Sequence, residues 1–271
     1  RGRPWAVVVE RDGGRFDLRH AVADPHELDR RYAAAPWNLN NLCRLDKCVL
    51  SQCNDEISGM VVPWLYVGML FSSFCWHVED HYAHSINYMH WGAPKTWYGV
   101  PGTEAEAFER VMAASVPELM AAEKGLLYKM VTMLPPETAL KAGVSVCHLV
   151  QPPGSFVITW PRGYHAGFSH GLNCAESSNF ATADWLPWGR AAVRAYRENP
   201  GTRRPCFTHE MLLITLACKA RARGYCPGLP GPMIMSTWSA PEFSYVPAVY
   251  HAPTAAEAAT PCWSACGDAT L

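Results

Sequence analysis

The sequence has few charged residues and no excess of either sign. Asp, Glu, Lys and Arg make up 17% of the 271 residues, below the ~25% typical of globular chains, and the net charge is −1. A chain-wide basic surface for nucleic acid is therefore excluded. Long apolar runs are also missing. The longest run, 60–76, contains Pro63 and Gly68 and is shorter than the ~20 apolar residues of a spanning helix, so we expect no membrane span.

Regularly spaced cysteines and an N-terminal signal core are absent as well. The eleven cysteines are scattered, which favours a reducing compartment over a disulfide framework. The chain begins at Arg1 without an initiator Met, and we expect it to be a piece of a longer protein. Apolar residues, by contrast, make up 49% of the chain, enough for a sizeable core, so wholesale disorder is excluded.

Two blocks of β-branched and aromatic residues, 61–100 and 155–181, predict a mainly β fold with helical additions. Between them, Thr103 and Glu106 fit a capping box for a helix. Two further helices are predicted near the C-terminus, beginning at Pro187 and Thr208. The predicted organisation is a peripheral segment with a strand near its start, a catalytic barrel, a C-terminal helical segment and a loosely ordered Pro/Ala-rich tail, at 1–35, 36–190, 191–225 and 226–271.

The clearest chemical signal is the His-x-Glu pair formed by His77 and Glu79. Side chains two apart on a strand project from one face, so these two converge. A third ligand is offered by His165, which follows a turn at Pro161 and Gly163. Two histidines and a carboxylate form the facial triad of non-haem Fe(II) oxygenases, which leaves coordination positions open. Zn(II) accepts the same ligands in hydrolases, so both metals are candidates at this point.

Four residues downstream favour the oxygenase. Ser85 and Asn87 form one same-face pair, and Lys95 and Trp97 form another. A lysine in so apolar a segment needs an anionic partner. An ammonium and an amide beside an open metal site suit a 2-oxo acid with a distal carboxylate. The pattern therefore indicates 2-oxoglutarate and disfavours the zinc hydrolase.

Long blocks of the sequence resemble, in order, the JmjC domain of the Jumonji/ARID group of histone lysine demethylases. The blocks are 37–42, 62–69, 71–81, 85–88, 94–101 and 161–168, within a match over about 36–225. The resemblance implies a double-stranded β-helix, a cupin-like jelly-roll barrel. It also implies Fe(II), O2 and 2-oxoglutarate, with the metal on His77, Glu79 and His165. The cosubstrate residues that it implies are Lys95, Asn87, Ser85, Phe74 and Trp97.

Strand parity places Phe74 on the face opposite His77, so a bulge or bend must separate them if the implied role of Phe74 holds. The substrate implied by the resemblance is a histone H3 tail methylated at lysine 4, with Tyr66, Ser177 and Asn179 lining the methylammonium pocket. Ser177 stands where the group usually has Ala, and Ser169 where it usually has Asn, so methyl-state preference is left open.

The resemblance further implies a nuclear protein that works in chromatin complexes. Two alternative functions stay open: a JmjC protein hydroxylase that shares the iron and cosubstrate residues, and a catalytically silent chromatin-binding module. The second predicts damaged ligands, whereas His77, Glu79, His165 and Lys95 are all present. Three histidines near the triad, His81, His84 and His90, are expected to have supporting or surface roles.

Overall fold

A computed structural model describes residues 6–9, 30, 32–53, 56–122, 132–199 and 204–222. This part of the chain contains nine strands, all paired antiparallel. They are β1 Ala6–Val9, β2 Trp64–Gly68, β3 Ser73–His77, β4 His84–Gly92, β5 Lys95–Val100, β6 Cys147–Gln151, β7 Phe156–Thr159, β8 Tyr164–Ser169 and β9 Asn173–Phe180. Residues 30 and 32–34 are helical, and the α-helices with both ends described are Leu39–Leu42, Ala105–Ser115, Pro117–Ala122, Pro136–Lys141, Leu186–Glu198 and His209–Ala222. Short 3-10 turns lie at Val49–Gln52, Asp80–Tyr82, Gly102–Glu104 and Ala183–Trp185.

The strands form two sheets, as the mainly β prediction requires. One has five strands in the order β1-β7-β4-β9-β2, and the other has four in the order β3-β8-β5-β6. Neighbouring strands in each sheet come from both sequence blocks, so the first block pairs with the second instead of folding alone. This is the arrangement of a cupin-like jelly roll, and the predicted fold class is confirmed.

The largest apolar cluster lies between the four-stranded sheet and helix Ala105–Ser115. Trp76 and Phe108 are almost fully buried, with ring centroids 4.8 Å apart, and Tyr164 packs on the same helix residue at 5.2 Å. Burial of side chains of this size stabilises a fold by about 1.5–3 kcal/mol each. Because Trp76 points into this cluster, the adjacent His77 points the other way, toward the space between the sheets.

Helix Ala105–Ser115 is confirmed, but the predicted capping box is wrong. Thr103 lies inside the preceding 3-10 turn, and the N-cap residue is Glu104, without a capping bond from its side chain. The carboxylates of Glu104 and Glu106 instead contact residues from distant parts of the chain. Glu104 accepts a hydrogen bond from the Ser145 backbone N–H at 2.8 Å, and Glu106 pairs with Arg162 at 3.1 Å.

The two C-terminal helices pack on the barrel. Their predicted starts are confirmed, since Pro187 lies in the first turn of Leu186–Glu198 and Thr208 directly precedes His209–Ala222. His81 connects them to the barrel: its ring stacks on Phe207 with centroids 3.8 Å apart, and its backbone carbonyl accepts from the Trp185 indole at 2.9 Å. The strand near the start is also confirmed, while most of 1–35 and all of 226–271 lie outside the described residues.

No described helix is both long and apolar enough to span a bilayer.

The expected irregularity in β3 is present, because the register against β8 shifts between Phe74 and His77. This bulge turns Phe74 onto the same side as the two histidines, with ring centroids 6.2 Å from His77 and 6.3 Å from His165. The division into segments 36–190 and 191–225 remains a proposal.

Candidate active site

The three predicted metal ligands converge between the sheets. His77 ends β3 and lies directly opposite His165 on β8, and Glu79 follows just after β3. The ligand atoms of the three side chains all lie within 4.8 Å of one another. Glu79 Oε1 is 3.1 Å from His165 Nε2 and 3.9 Å from His77 Nε2. Among the described residues, this is the only such group of three or more metal-binding side chains.

Backbone carbonyls determine which nitrogen of each histidine faces the centre. His77 Nδ1 is 2.7 Å from the Cys75 carbonyl oxygen, and His165 Nδ1 is 2.9 Å from that of Gly163. A carbonyl only accepts, so each Nδ1 carries the hydrogen and each Nε2 presents a lone pair. Two lone pairs and a carboxylate oxygen that meet in this way repel one another unless a proton or a metal cation lies between them. The donor set therefore fits a divalent metal.

Asn179 holds the third ligand. Its Nδ2 donates to Glu79 Oε2 at 2.9 Å and to the His84 carbonyl at 3.1 Å. Burial alone would raise the pKa of Glu79, but a proton on His165 Nε2 supplies a hydrogen bond and a positive charge that, with further help from His77 and Asn179, lower that pKa well below its usual range. A metal cation in place of that proton acts in the same direction. The carboxylate is thus ionised and oriented. Asn179 contacts the metal ligand, and its predicted place in the methylammonium pocket stays a prediction.

The predicted cosubstrate residues from β3 and β5 form one group beside the triad. The Phe74 and Trp97 rings meet edge to face, with centroids 4.7 Å apart, and Trp97 stacks on His165 at 5.9 Å. Lys95 Nζ lies 5.9 Å from the Phe74 ring centroid and donates to Ser169 Oγ at 2.9 Å. Lys95 is 8% exposed and pairs with no acidic residue in the described part of the chain. Burial lowers the pKa of this ammonium.

Asn87 and Ser85 project from β4, in the opposite sheet. The Ser85 hydroxyl lies 2.5 Å from that of Thr159, and both residues are buried. Asn87 Oδ1 accepts from Gln151 Nε2 at 3.1 Å, and Gln151 Oε1 accepts from the Trp97 indole at 2.9 Å. Gln151 is fully buried and was not predicted as a site residue. A polar residue before Pro152 at the end of an apolar strand is the only signal for it in the sequence.

The predicted substrate residues lie on β2 and β9. Tyr66 is on β2, an edge strand, and remains 45% exposed. Burial of its hydroxyl, followed by the charge of Glu79, raises the pKa of Tyr66. Ser177 pairs with Trp64 across the strands and donates to the Ile86 carbonyl at 3.0 Å. The hydroxyl hydrogen of Ser177 is therefore already used in the hydrogen bond to Ile86.

The three neighbouring histidines lie outside the metal group, as expected. His81 contacts the C-terminal segment, with its Nε2 accepting from the Cys206 backbone N–H at 3.0 Å. His84 is fully buried and stacked on Phe180, with ring centroids 4.8 Å apart. His90 pairs with Glu176 on the surface at 2.8 Å.

Residues 64–180 match the family model described as JmjC domain, hydroxylase. The chain is 50% identical over 206 residues to lysine-specific demethylase 5D of Homo sapiens, covering 76% of this chain and 13% of that protein. It is 51% identical over 187 residues to lysine-specific demethylase JMJ17 of Arabidopsis thaliana, covering 69% and 15%. With lysine-specific demethylase 5B of Gallus gallus it shares 46% over 214 residues, covering 79% and 14%. The chain thus spans about one seventh of these curated relatives, and it belongs to the JmjC family.

Proposed function

We propose that this chain is an Fe(II)- and 2-oxoglutarate-dependent demethylase of a histone lysine, and that its substrate is the histone H3 tail methylated at lysine 4. The observation that carries the proposal is the oriented triad of His77, Glu79 and His165 beside a buried Lys95 without an acidic partner among the described residues. The triad suits a divalent metal with open positions, and the lysine suits an anionic ligand next to it. The names of the relatives support the lysine substrate.

When bound, Fe(II) and 2-oxoglutarate supply the activation of O2 that oxidises the N-methyl group. The reaction consumes methyl-lysine, 2-oxoglutarate and O2, and it yields lysine with one methyl group fewer, formaldehyde, succinate and CO2. His77, Glu79 and His165 would hold the metal. Their own orientation comes from the Cys75 and Gly163 carbonyls and from the Asn179 amide.

Residues of both sheets bind the cosubstrate. Lys95 pairs with the distal carboxylate, while the Asn87 amide and the Ser85 hydroxyl contribute hydrogen bonds. The Phe74 and Trp97 rings cover the apolar part of the molecule and exclude water from the metal. Exclusion of water protects a reactive oxidant from side reactions, which is the protein's main share in such chemistry.

The methylammonium group is proposed to bind among Tyr66, Ser177 and Asn179. Tyr66 is half exposed and the charge of Glu79 acts on its hydroxyl, so a cation bound beside Tyr66 has an aromatic ring and a carboxylate near it. Both features attract a methylated ammonium. A nuclear location and an association with chromatin complexes follow from the proposed substrate and are part of the proposal.

Protein hydroxylation is the second candidate, because the matched family model carries that description. The two reactions share the metal and cosubstrate residues and differ in product mass. The test is to incubate the chain anaerobically with Fe(II), ascorbate, 2-oxoglutarate and H3 peptides carrying one, two or three methyl groups, and then to admit O2. Demethylation replaces a methyl group by hydrogen, so each turnover lowers peptide mass by one CH2 unit and releases formaldehyde, whereas hydroxylation adds one oxygen atom.

Two controls make this experiment decisive. Omission of 2-oxoglutarate must stop turnover, and Zn(II) in place of Fe(II) must not support it, since Zn(II) has no redox chemistry. Turnover of the peptide with Zn(II) would contradict the proposal and favour a zinc hydrolase. If 2-oxoglutarate binds but the peptide mass does not change, the result favours the catalytically silent chromatin-binding module.

A further inference from the structure

We infer that Gln151 determines how the Asn87 amide is oriented, so that an N–H group and not a carbonyl oxygen faces the carboxylate of 2-oxoglutarate. Gln151 is then a positioning residue for the cosubstrate. This inference rests on the proposed function. It comes from one buried hydrogen-bond network that links the two sheets, in which each donor or acceptor determines the next.

The network starts at an atom that can only donate. The Trp97 indole N–H is 2.9 Å from the Gln151 amide, so the Gln151 atom that faces it must be the oxygen, Oε1. The other end of that amide is therefore the NH2 group. It lies 3.2 Å from the carbonyl oxygens of Asn87 and Ser155, which only accept. Contacts at both ends of the Gln151 side-chain amide therefore determine its orientation.

The same logic extends to Asn87. Gln151 Nε2 lies 3.1 Å from the Asn87 side chain, and two NH2 groups at that distance would oppose donor to donor. Asn87 must therefore turn Oδ1 toward Gln151 and Nδ2 away from it. Because Gln151 Nε2 has two hydrogens for three acceptors, one hydrogen is shared between two of these acceptors. Nδ2 makes no hydrogen bond to the described residues. Gln151 is 0% and Asn87 7% exposed. If the Asn87 amide flips, Gln151 Nε2 loses Oδ1 as an acceptor, and water cannot easily take its place.

The position of Gln151 explains why the orientation of the Asn87 amide would affect the binding of 2-oxoglutarate. On β6, Gln151 lies directly opposite Lys95 of β5, and Lys95 is the proposed partner of the distal carboxylate. Asn87 comes from β4 in the other sheet and contacts the side chain of Gln151. An Asn87 N–H adds a donor beside the ammonium, whereas a flipped carbonyl would turn a partial negative charge toward the anion.

The test is a double-mutant cycle on 2-oxoglutarate affinity, measured by calorimetry on the full chain loaded with Mn(II), so that no turnover is needed. Gln151→Met is expected to raise the Kd about tenfold, as for the loss of one well-formed hydrogen bond. In an Asn87→Leu background the same change is expected to alter the Kd less than about threefold, because its target is gone. Mn(II) affinity should not change in any variant.

The chain contains one other glutamine, which gives a matched control. Gln52 lies in the 3-10 turn Val49–Gln52, outside the site, and Gln52→Met is expected to leave the Kd unchanged. If Gln151→Met does not fold, Gln151→Glu replaces it: the carboxylate still accepts from Trp97 but cannot donate to Asn87. Any effect of its charge on Lys95 is common to both backgrounds and cancels in the cycle.

Three outcomes overturn the inference, and they are distinguishable. Equal Kd values for wild type and the Gln151 variant show that the network does not act on the cosubstrate. The same loss in both backgrounds shows that Gln151 acts through the fold and not through Asn87. A wild-type chain that binds Mn(II) but not 2-oxoglutarate contradicts the proposed function itself and removes the inference with it.

Discussion

Replacement of Lys95 by Met is expected to separate stability from function. The ammonium is 8% exposed, and its described contacts are one neutral hydroxyl, Ser169 Oγ at 2.9 Å, and the Phe74 ring. Replacement of a buried charge by an apolar side chain of similar length is often neutral or stabilising. We therefore expect Lys95→Met to melt at the same temperature as wild type or higher when no 2-oxoglutarate is present.

The cosubstrate should reverse this order. Truncation of one partner of a buried charge pair costs about 2–5 kcal/mol, which corresponds to a Kd for 2-oxoglutarate roughly 30-fold to several thousand-fold higher. Ligand binding to the folded state raises the melting temperature according to ligand concentration over Kd. At a fixed concentration of 2-oxoglutarate with Mn(II), the wild type should therefore gain stability, and Lys95→Met should gain little or none.

The pH dependence gives a second readout of Lys95. Burial lowers the pKa of Lys95 in the folded chain, so between that value and the unfolded pKa the unfolded state binds more protons. Stability without ligand should then rise with pH through this window in wild type and not in Lys95→Met. Cosubstrate binding should weaken over the same window, because the ammonium is lost.

Scanning calorimetry of wild type, Lys95→Met and the surface control Lys141→Met, each with and without 2-oxoglutarate, tests these statements together. Lys141 is exposed at the end of helix Pro136–Lys141, so its replacement should leave the ligand effect intact. A Lys95→Met protein that melts well below wild type but keeps the full ligand effect would make Lys95 a structural residue and refute the reasoning.

The remaining predictions concern the ligands, the substrate pocket and a buried histidine. Replacement of His77, Glu79 or His165 by Ala should abolish formaldehyde release and metal binding while far-UV circular dichroism is retained, and full activity in any of the three would remove it from the site. Ser177→Ala should change the ratio of trimethyl to dimethyl turnover by no more than about tenfold, or ~1.4 kcal/mol, and identical ratios in peptide mass assays would show that it does not read methyl state. His84 has its pKa lowered to about 4 by burial, against the opposing charge of Asp184 and a backbone contact. Because the unfolded state takes up the proton first, stability should fall by about 3 kcal/mol as pH drops from ~6.5 to ~4, and urea titrations of His84→Phe should lack that loss.

Local sequence signals predicted most of the elements. The two strand blocks, the helix before Pro117 and the helices that follow Pro187 and Thr208 all occur near their expected bounds. Each depends on apolar periodicity and on a Pro or a capping residue at a boundary, which neighbouring residues specify. The bulge after Phe74 was also predictable, since parity and the implied role of the ring conflict without it.

Contacts between the sheets could not be predicted in this way. Gln151 and Asn87 are 64 positions apart in the sequence, and their contact depends on how two sheets face each other. The capping box failed for the same reason, because the Glu106 carboxylate pairs with Arg162, which lies 56 positions away in the sequence. Periodicity assigns a side chain to a face of its strand, but it carries no information on what the opposite sheet presents to that face.

Strand β9 connects the proposed metal and substrate sites through its backbone. Asn179 holds the Glu79 carboxylate, and Ser177, on the same face of the strand, lies opposite Trp64 of β2 and Asn87 of β4. Pairing with β2 on one side and β4 on the other fixes the register of β9. A shift of this strand that enlarged the substrate pocket would therefore also move the amide that orients the metal ligand. Under the proposed function, a change in methyl-state preference is therefore expected from side-chain replacement at positions such as Ser177, with the backbone held in place.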